Sequence, residues 1–242
     1  MEKWSKEYFV QNYGNESVVV REILDDAMHE PVIRLQLRNF EDFYTMKDKG
    51  RNVSIIASSS IFSRRPAFLQ EMRSPFEDAL VGLNGEKVLV DQFFVTDGGR
   101  SWYHSEIGVN LNRQVVGYKR WTLVSPAENF WLCPKPVISG TSVNADCLVK
   151  MPADKREAYM MKMKRVTTLL GPGDLIVNPP WYWHDVQSIG TSNDESISVA
   201  GRIKSVAPTF ANSPMSTFVA CEDDRINILF KLIRLTELCC IC

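Results

Sequence analysis

Histidine is scarce in this chain, with three among 242 residues, and net charge is nearly absent, at −1 from 28 basic and 29 acidic residues. A near-neutral chain has no global field that attracts nucleic acid or anionic membranes. No apolar run approaches the roughly 18 residues that a membrane-spanning helix needs. The opening stretch MEKWSKEYFVQ also lacks the apolar segment of a signal peptide. We therefore expect a cytoplasmic or nuclear protein with no membrane span and no strong nucleic-acid signature.

The six cysteines show no zinc-cluster spacing. Without an export signal, reduced thiols are the expected state of these residues. The terminal CCIC loosely meets two prenylation patterns, and packing within an apolar C-terminal helix is the alternative. The cysteines are Cys133, Cys147, Cys221, Cys239, Cys240 and Cys242.

From about residue 87 onward, the chain consists of short apolar or alternating runs bounded by turn residues. Such a pattern is typical of a β-sandwich or a β-barrel. The segment ADKREAYMMKMKRVTTLL at 153–170 interrupts these runs and is predicted to be a helix. The tail from 222 has apolar residues at helical spacing and is predicted to be a second helix.

Two of the three histidines lie in segments that look like strands. Residues i and i+2 of a strand face the same side, so His104 and Glu106 converge in SWYHSE. His29 lies in a polar, loop-like stretch, whereas His184 lies between large aromatics in NPPWYWHDV. His104, Glu106 and His184 would form a facial triad, which leaves three coordination positions open and typically selects Fe(II). The same residues also fit a chance H-x-E pair and a core histidine that donates to a backbone carbonyl.

A lysine lies among apolar neighbours in QVVGYKRWTL. On a strand, Lys119 shares a face with Val115, Gly117 and Trp121. An ammonium group on an apolar face is costly unless a carboxylate meets it. No acidic residue is near in sequence, although one could come from a distant strand. A bound diacid would satisfy Lys119 with one end while its other end lies on the metal, and Gly117 would leave room for it.

Three motifs occur in an order and spacing that resemble the JmjC and cupin-like Fe(II)- and 2-oxoglutarate-dependent oxygenases, especially the smaller hydroxylases of the factor-inhibiting-HIF type. They are HSE at 104–106, GYKRWTLVSP at 117–126 and GPGDLIVNPPWYWHDV at 171–186. The likeness is best over residues 91–203 and weaker over EYFVQNYGNESVVVRE at 7–22. It implies a mainly β protein with flanking helices and a double-stranded β-helix core, that is, a cupin-like jelly-roll.

With that resemblance, we predict one JmjC or cupin-like domain over residues 1–242. It would consist of a mixed helical N-terminal part at 1–86, a jelly-roll core at 87–205 and a C-terminal helix at 221–242. The apolar C-terminal helix is a candidate homodimer interface.

The resemblance also assigns roles to individual residues. It implies that His104, Glu106 and His184 bind Fe(II) and form the catalytic centre, with Glu where the family more commonly has Asp. It implies that Lys119 pairs with the distal carboxylate of 2-oxoglutarate.

Further residues would surround the cosubstrate. Ser101 stands where the family often has a threonine that bonds the distal carboxylate. Asn110 is expected on the inward face of the His104 strand and resembles a family asparagine beside the cosubstrate. Ser198, or alternatively Ser196, would line the site from the strand after the distal histidine. Arg202 is an alternative anchor for the carboxylate.

The implied activity is that of a 2-oxoglutarate-dependent dioxygenase that uses Fe(II), 2-oxoglutarate as cosubstrate and O2. We expect a hydroxylase that acts on a protein side chain or a tRNA base. A JmjC histone lysine demethylase and a catalytically silent cupin-like binding module are the alternatives. The substrate stays open because the family selects it through loops, here 60–85, 128–165 and 204–220, that carry no portable motif.

Overall fold

The computed structural model describes residues 3–25, 32–73, 77, 88–106, 108–136, 142–189 and 195–203. Strands in these ranges form two antiparallel sheets. The strands are β1 (Ser17–Asp25), β2 (Val32–Asn39), β3 (Val53–Ser58), β4 (Val88–Asp97), β5 (Arg100–Glu106), β6 (Val109–Val116), β7 (Tyr118–Val124), β8 (Pro134–Pro136), β9 (Ser142–Ala145), β10 (Arg165–Leu170), β11 (Leu175–Asn178), β12 (Trp183–Ile189) and β13 (Glu195–Ile203).

Successive strands of the chain alternate between the two sheets over much of the sequence. The larger sheet has the order β11-β6-β13-β4-β3-β1-β2, and the smaller has the order β10-β7-β12-β5-β9-β8. Because β5, β7 and β12 belong to one sheet and β4, β6 and β13 to the other, the chain alternates between the sheets as in a jelly-roll. The predicted mainly β, cupin-like fold class is confirmed. Strands β1–β3 extend the larger sheet through β4, so the N-terminal part shares a sheet with the predicted core.

Short helices flank the sheets, and side chains cap the first two. Ser5 Oγ accepts a hydrogen bond from the Tyr8 backbone N–H at 3.2 Å, and Asn39 Oδ1 accepts one from the Asp42 N–H at 2.7 Å. These bonds satisfy donors that a helix start leaves unpaired. The helices are α1 (Lys6–Tyr13), α2 (Phe40–Asp48), α3 (Ser60–Arg64), α4 (Pro66–Met72), α5 (Asn129–Leu132), α6 (Asp146–Val149) and α7 (Ala153–Met160), with a 3-10 turn at Pro126–Glu128.

The apolar cores lie on the outer faces of the two sheets. Phe93 and Val95 of β4 are buried against α1, α2 and α4, in a cluster that includes Phe9 stacked on Phe40 with ring centroids 5.1 Å apart. A second cluster covers the smaller sheet around Trp183. Since strand side chains alternate, the remaining residues of these strands point between the sheets. The fold therefore leaves an inner space that a polar site can use.

The segment predicted as one helix over 153–170 is a helix only in its first half. Helix α7 ends at Met160, and Arg165–Leu170 forms strand β10, which pairs antiparallel with β7. The β-branched run Val166, Thr167 and Thr168 favours the strand, because such side chains lose rotamer freedom in a helix. The prediction was wrong for this half.

Gly117 has a different role from the one expected. It lies between β6 and β7 with φ of +69°, and a Cβ there would lie 2.6 Å from the carbonyl oxygen of Glu195. A turn with positive φ and close backbone packing require glycine here. Gly117 therefore forms the turn between β6 and β7, and its missing side chain does not serve to leave room for a ligand.

Cys133 and Cys147 form a disulfide that joins the end of α5 to α6, with Cα atoms 5.3 Å apart. This pair differs from the expected reduced thiols. The bond closes a loop beside β9, the strand that pairs with β5 at His104 and Glu106. The disulfide thus stabilises one edge of the smaller sheet.

Replacing Cys147 with serine should lower the free energy of unfolding by about 3 kcal/mol, because a cross-link across 14 residues restricts the unfolded chain. Denaturant titration with and without reductant measures the effect. Reductant should destabilise the wild type and leave the Cys147→Ser variant unchanged. An unfolding midpoint of the wild type that does not respond to reductant would contradict the bond.

Several expectations fall outside the described residues. They are the C-terminal helix at 221–242, the homodimer interface assigned to it and the CCIC tail. The extent of the single domain over 1–242 also stays a prediction. Within the described ranges, we find no helix long and apolar enough to span a bilayer.

Candidate metal centre

Strand pairing brings the three predicted metal ligands together. His184 of β12 is the direct antiparallel partner of His104 of β5, and their ring centroids are 4.1 Å apart. Glu106 lies two residues further along β5, on the same face. One potential ligand atom from each of His104, Glu106 and His184 lies within 4.8 Å of the others. Two imidazole nitrogens and a carboxylate oxygen this close can hold a transition-metal ion.

Hydrogen bonds at Nδ1 orient both imidazole rings. Nδ1 of His104 lies 2.8 Å from the carbonyl oxygen of Trp102, to which a protonated Nδ1 donates. Nδ1 of His184 lies 3.2 Å from the carbonyl oxygen of Tyr182 and 3.0 Å from the amide nitrogen Nδ2 of Asn178. In the tautomer in which Nδ1–H donates to the backbone carbonyl, Nε2 keeps its lone pair for a metal. The rings are therefore arranged as metal-ligating histidines are.

Burial keeps both histidines neutral. It lowers the pKa of the His104 imidazole, and it lowers the pKa of the fully buried His184 well below its ordinary value, with neighbouring His104 adding to the effect. The indole of Trp121 stacks on His184 with an interplanar angle of 17° and a centroid distance of 5.5 Å. Since metals bind the neutral imidazole, the site can accept a metal at neutral pH without losing protons from these rings.

A cavity of about 330 Å³ between the sheets contains the triad. A larger groove of about 1360 Å³ lies beside Tyr44 and Lys47 and contains none of the three residues, so the smaller cavity is the candidate site. Among the other residues that line the smaller cavity are Arg21, Gln92, Phe94, Thr96, Ser101, Asn110, Asn112, Lys119, Trp121, Ser188 and Arg202.

Lys119 faces this cavity and is 5% exposed. Its Nζ donates to Ser198 Oγ at 2.6 Å and lies 5.6 Å from the ring centre of Phe94. It forms no ion pair with any described residue, and burial lowers its pKa to about 7. A buried amine without a carboxylate partner destabilises a fold, so the position fits a lysine that meets an acidic ligand.

The remaining predicted residues lie at or near the cavity, but not all on the expected strand. Ser101 lines it from β5 and donates to the carbonyl oxygen of Val186 at 3.4 Å. Asn110 was expected on the His104 strand, yet it belongs to β6 in the opposite sheet, because β5 ends at Glu106. Ser198 lies behind Lys119 as its hydrogen-bond acceptor. Ser196 instead accepts from Gln114 at 2.8 Å.

Some buried polar atoms at the cavity have no hydrogen-bond partner in the described part of the chain. They include Asn110 Oδ1, Asn112 Oδ1 and Trp121 Nε1. Buried polar atoms are nearly always satisfied by protein, water or ligand. The cavity thus offers acceptors and a donor to a polar molecule, in addition to the cation of Lys119.

Sequence reasoning missed several residues of the site. Asn112, Trp121 and Asn178 were not assigned roles, and Arg21 was not considered at all. The position of Trp121 could have been predicted, because it lies two residues after Lys119 on the same strand and therefore faces the same side. The placement of Arg21 depends on β1 joining the larger sheet, which no local pattern reveals.

A family model described as Cupin-like domain matches residues 1–201, which is most of the chain. The chain belongs to the cupin-like domain family. The resemblance to JmjC and cupin-like proteins is thereby confirmed.

Curated relatives of this cupin-like protein have distinct names. It is 25% identical over 197 residues to lysine-specific demethylase 8 of Danio rerio, covering 78% of this chain and 47% of that protein. It is 27% identical over 198 residues to Jumonji C domain-containing protein 5 of Drosophila melanogaster, covering 78% and 48%. It is 23% identical over 217 residues to tRNA wybutosine-synthesizing protein 4 of Gibberella zeae, covering 82% and 20%. The chain spans less than half the length of each.

Proposed function

We propose that this protein is an Fe(II)- and 2-oxoglutarate-dependent oxygenase. The observation that carries the proposal is one cavity that holds both the His104, Glu106 and His184 cluster and a buried lysine, Lys119, which has no acidic partner among the described residues. A metal site alone fits many functions, and so does a buried lysine. Together they fit a chelating diacid that is held at both ends.

Each residue has a stated part in this proposal. His104, Glu106 and His184 would hold Fe(II), which supplies activation of O2 and oxidative decarboxylation of 2-oxoglutarate to succinate and CO2. Lys119 in its charged form would bind the distal carboxylate, with Ser198 orienting its Nζ. Ser101 and Asn110 would donate hydrogen bonds around the cosubstrate. The tryptophan stacked on His184 would exclude water from one side of the ring.

We further propose hydroxylation, of a protein side chain or a tRNA base, as the outcome. Among the described cavity-lining residues, Arg21, Arg100, Lys119 and Arg202 are cationic and Glu106 is the only acid. Arg100 is bonded to Asp185, which leaves three cations against one carboxylate. A methylated lysine carries positive charge, and such a cavity would repel it. Demethylation is the second candidate because of the name of the Danio rerio relative.

The test uses two products of turnover. Purified protein, Fe(II) and 2-oxoglutarate are incubated in air with tRNA or with protein fractions, and succinate and formaldehyde are both measured. The proposal expects substrate-stimulated succinate without formaldehyde, and a product heavier by one oxygen atom. Formaldehyde in step with succinate would instead support demethylation. Binding of 2-oxoglutarate without any succinate would support the silent binding module.

A further inference from the structure

The carboxylate of Glu106 already has a partner in the protein. Arg202 Nη1 forms an ion pair with Glu106 Oε2. The same oxygen is 4.0 Å from Nε2 of His184. A metal ion held by both histidines would need this oxygen or its close neighbour, so Arg202 contacts a carboxylate that the ion would also need.

The fold holds Arg202 in that position. It lies on β13 with its Nε donating to Gln92 Oε1 of the adjacent β4 at 3.0 Å. Its side chain is 22% exposed and that of Glu106 is 15% exposed. Ion pairs that are largely removed from water are screened little, so their partners separate only for a competing charge. The pair is therefore a built contact and not a chance surface encounter.

The length of the acidic side chain suits this contact. Glutamate has one methylene more than aspartate, and its carboxylate can reach across the cavity from β5 to β13. An aspartate at the same backbone position would hold its carboxylate closer to β5 and farther from Arg202. The glutamate at position 106, in place of the commoner Asp, is therefore what allows the carboxylate to contact Arg202.

We propose that Arg202 competes with the metal ion for Glu106 and thereby sets the affinity of the site for metal. In the metal-free protein the guanidinium neutralises the carboxylate. Metal binding requires this pair to separate, which lowers the net gain from binding. This inference rests on the proposed metal site, and it assigns Arg202 a positioning role in place of the alternative role as cosubstrate anchor.

The test measures Mn²⁺ affinity by electron paramagnetic resonance of the free ion, without any turnover. Arg202→Gln should bind Mn²⁺ about tenfold more tightly than the wild type, because hydrogen bonds to charged groups are commonly strong enough for that factor. Arg21→Gln is the matched control. Arg21 lines the same cavity, but its Nε donates to Ser54 Oγ at 3.1 Å and not to Glu106, so its Mn²⁺ affinity should stay within about twofold of wild type.

A second comparison guards against a variant that fails to fold. In a Glu106→Asp background, where the carboxylate is drawn back from β13, Arg202→Gln should change Mn²⁺ affinity much less than in the wild type. Unchanged or weaker binding by Arg202→Gln in the wild-type background would overturn the inference while leaving the metal site intact. No Mn²⁺ binding by any of these proteins would overturn both the inference and the proposed function.

Discussion

Replacing Lys119 with methionine should weaken the binding of 2-oxoglutarate by about a hundredfold, because removing one partner of a buried charge pair leaves the other unpaired. Methionine is similar in length and apolar, so it fills the same space beside Phe94. The affinity for metal should change little, since Lys119 makes no contact with the triad among the described residues. Calorimetric titration of 2-oxoglutarate into the metal-loaded protein measures the loss.

The same substitution should stabilise the ligand-free protein. Burial lowers the pKa of Lys119 from 10.5 to about 7 in the folded state. Between these two values the unfolded chain binds more protons than the folded chain, so wild-type stability rises with pH over this window. Lys119→Met should unfold at higher denaturant concentration at pH 7 and should lack that part of the pH dependence.

A substitution that raises stability and weakens 2-oxoglutarate binding, as expected for Lys119→Met, indicates that the residue is retained for function at a cost in stability. Arg202→Ala provides the comparison, because Arg202 is the alternative cosubstrate anchor that the sequence offers and its pairing with Glu106 argues against that role. If Arg202→Ala loses 2-oxoglutarate affinity and Lys119→Met keeps it, then the assignment of Lys119 is wrong while the reaction class survives.

Replacing His184 with alanine should reduce metal affinity by more than about a hundredfold, because loss of even an outer partner of a metal ligand costs 10–100-fold. Succinate formation should fall to background. Asn178→Ala is the graded control, since its side chain contacts Nδ1 of His184 at 3.0 Å without being a ligand. The metal affinity of Asn178→Ala should lie between that of the wild type and that of His184→Ala. Equal metal binding by wild type and His184→Ala would contradict the triad.

The sequence was sufficient for those parts of the site that depend on local geometry. His104 and Glu106 share a face because they are two residues apart in a strand, and β5 confirms that strand. The alternation around Lys119 and Trp121 also follows from local spacing. The many short strands predicted a β-sandwich or a β-barrel, because turn residues mark where each strand ends, and the family resemblance implied the jelly-roll.

Other parts depend on contacts between distant segments and could not be predicted. The pairing of β12 with β5 and of β6 with β13 places Asn110 in the sheet opposite His104. The pairing of Arg202 with Glu106 joins residues of two different sheets. The strand at Arg165–Leu170 follows a helix in a continuous stretch, and only its pairing with β7 separates the two.

The central claim is that the triad and Lys119 form one site for a metal chelate of 2-oxoglutarate. The most direct measurement is an anaerobic titration of the protein with Fe(II) and then with 2-oxoglutarate, followed by visible absorption. The account predicts a metal-to-ligand charge-transfer band that is lost in His184→Ala and needs much more 2-oxoglutarate in Lys119→Met. Iron binding without the band would contradict the cosubstrate claim, and absence of iron binding would contradict the metal centre itself.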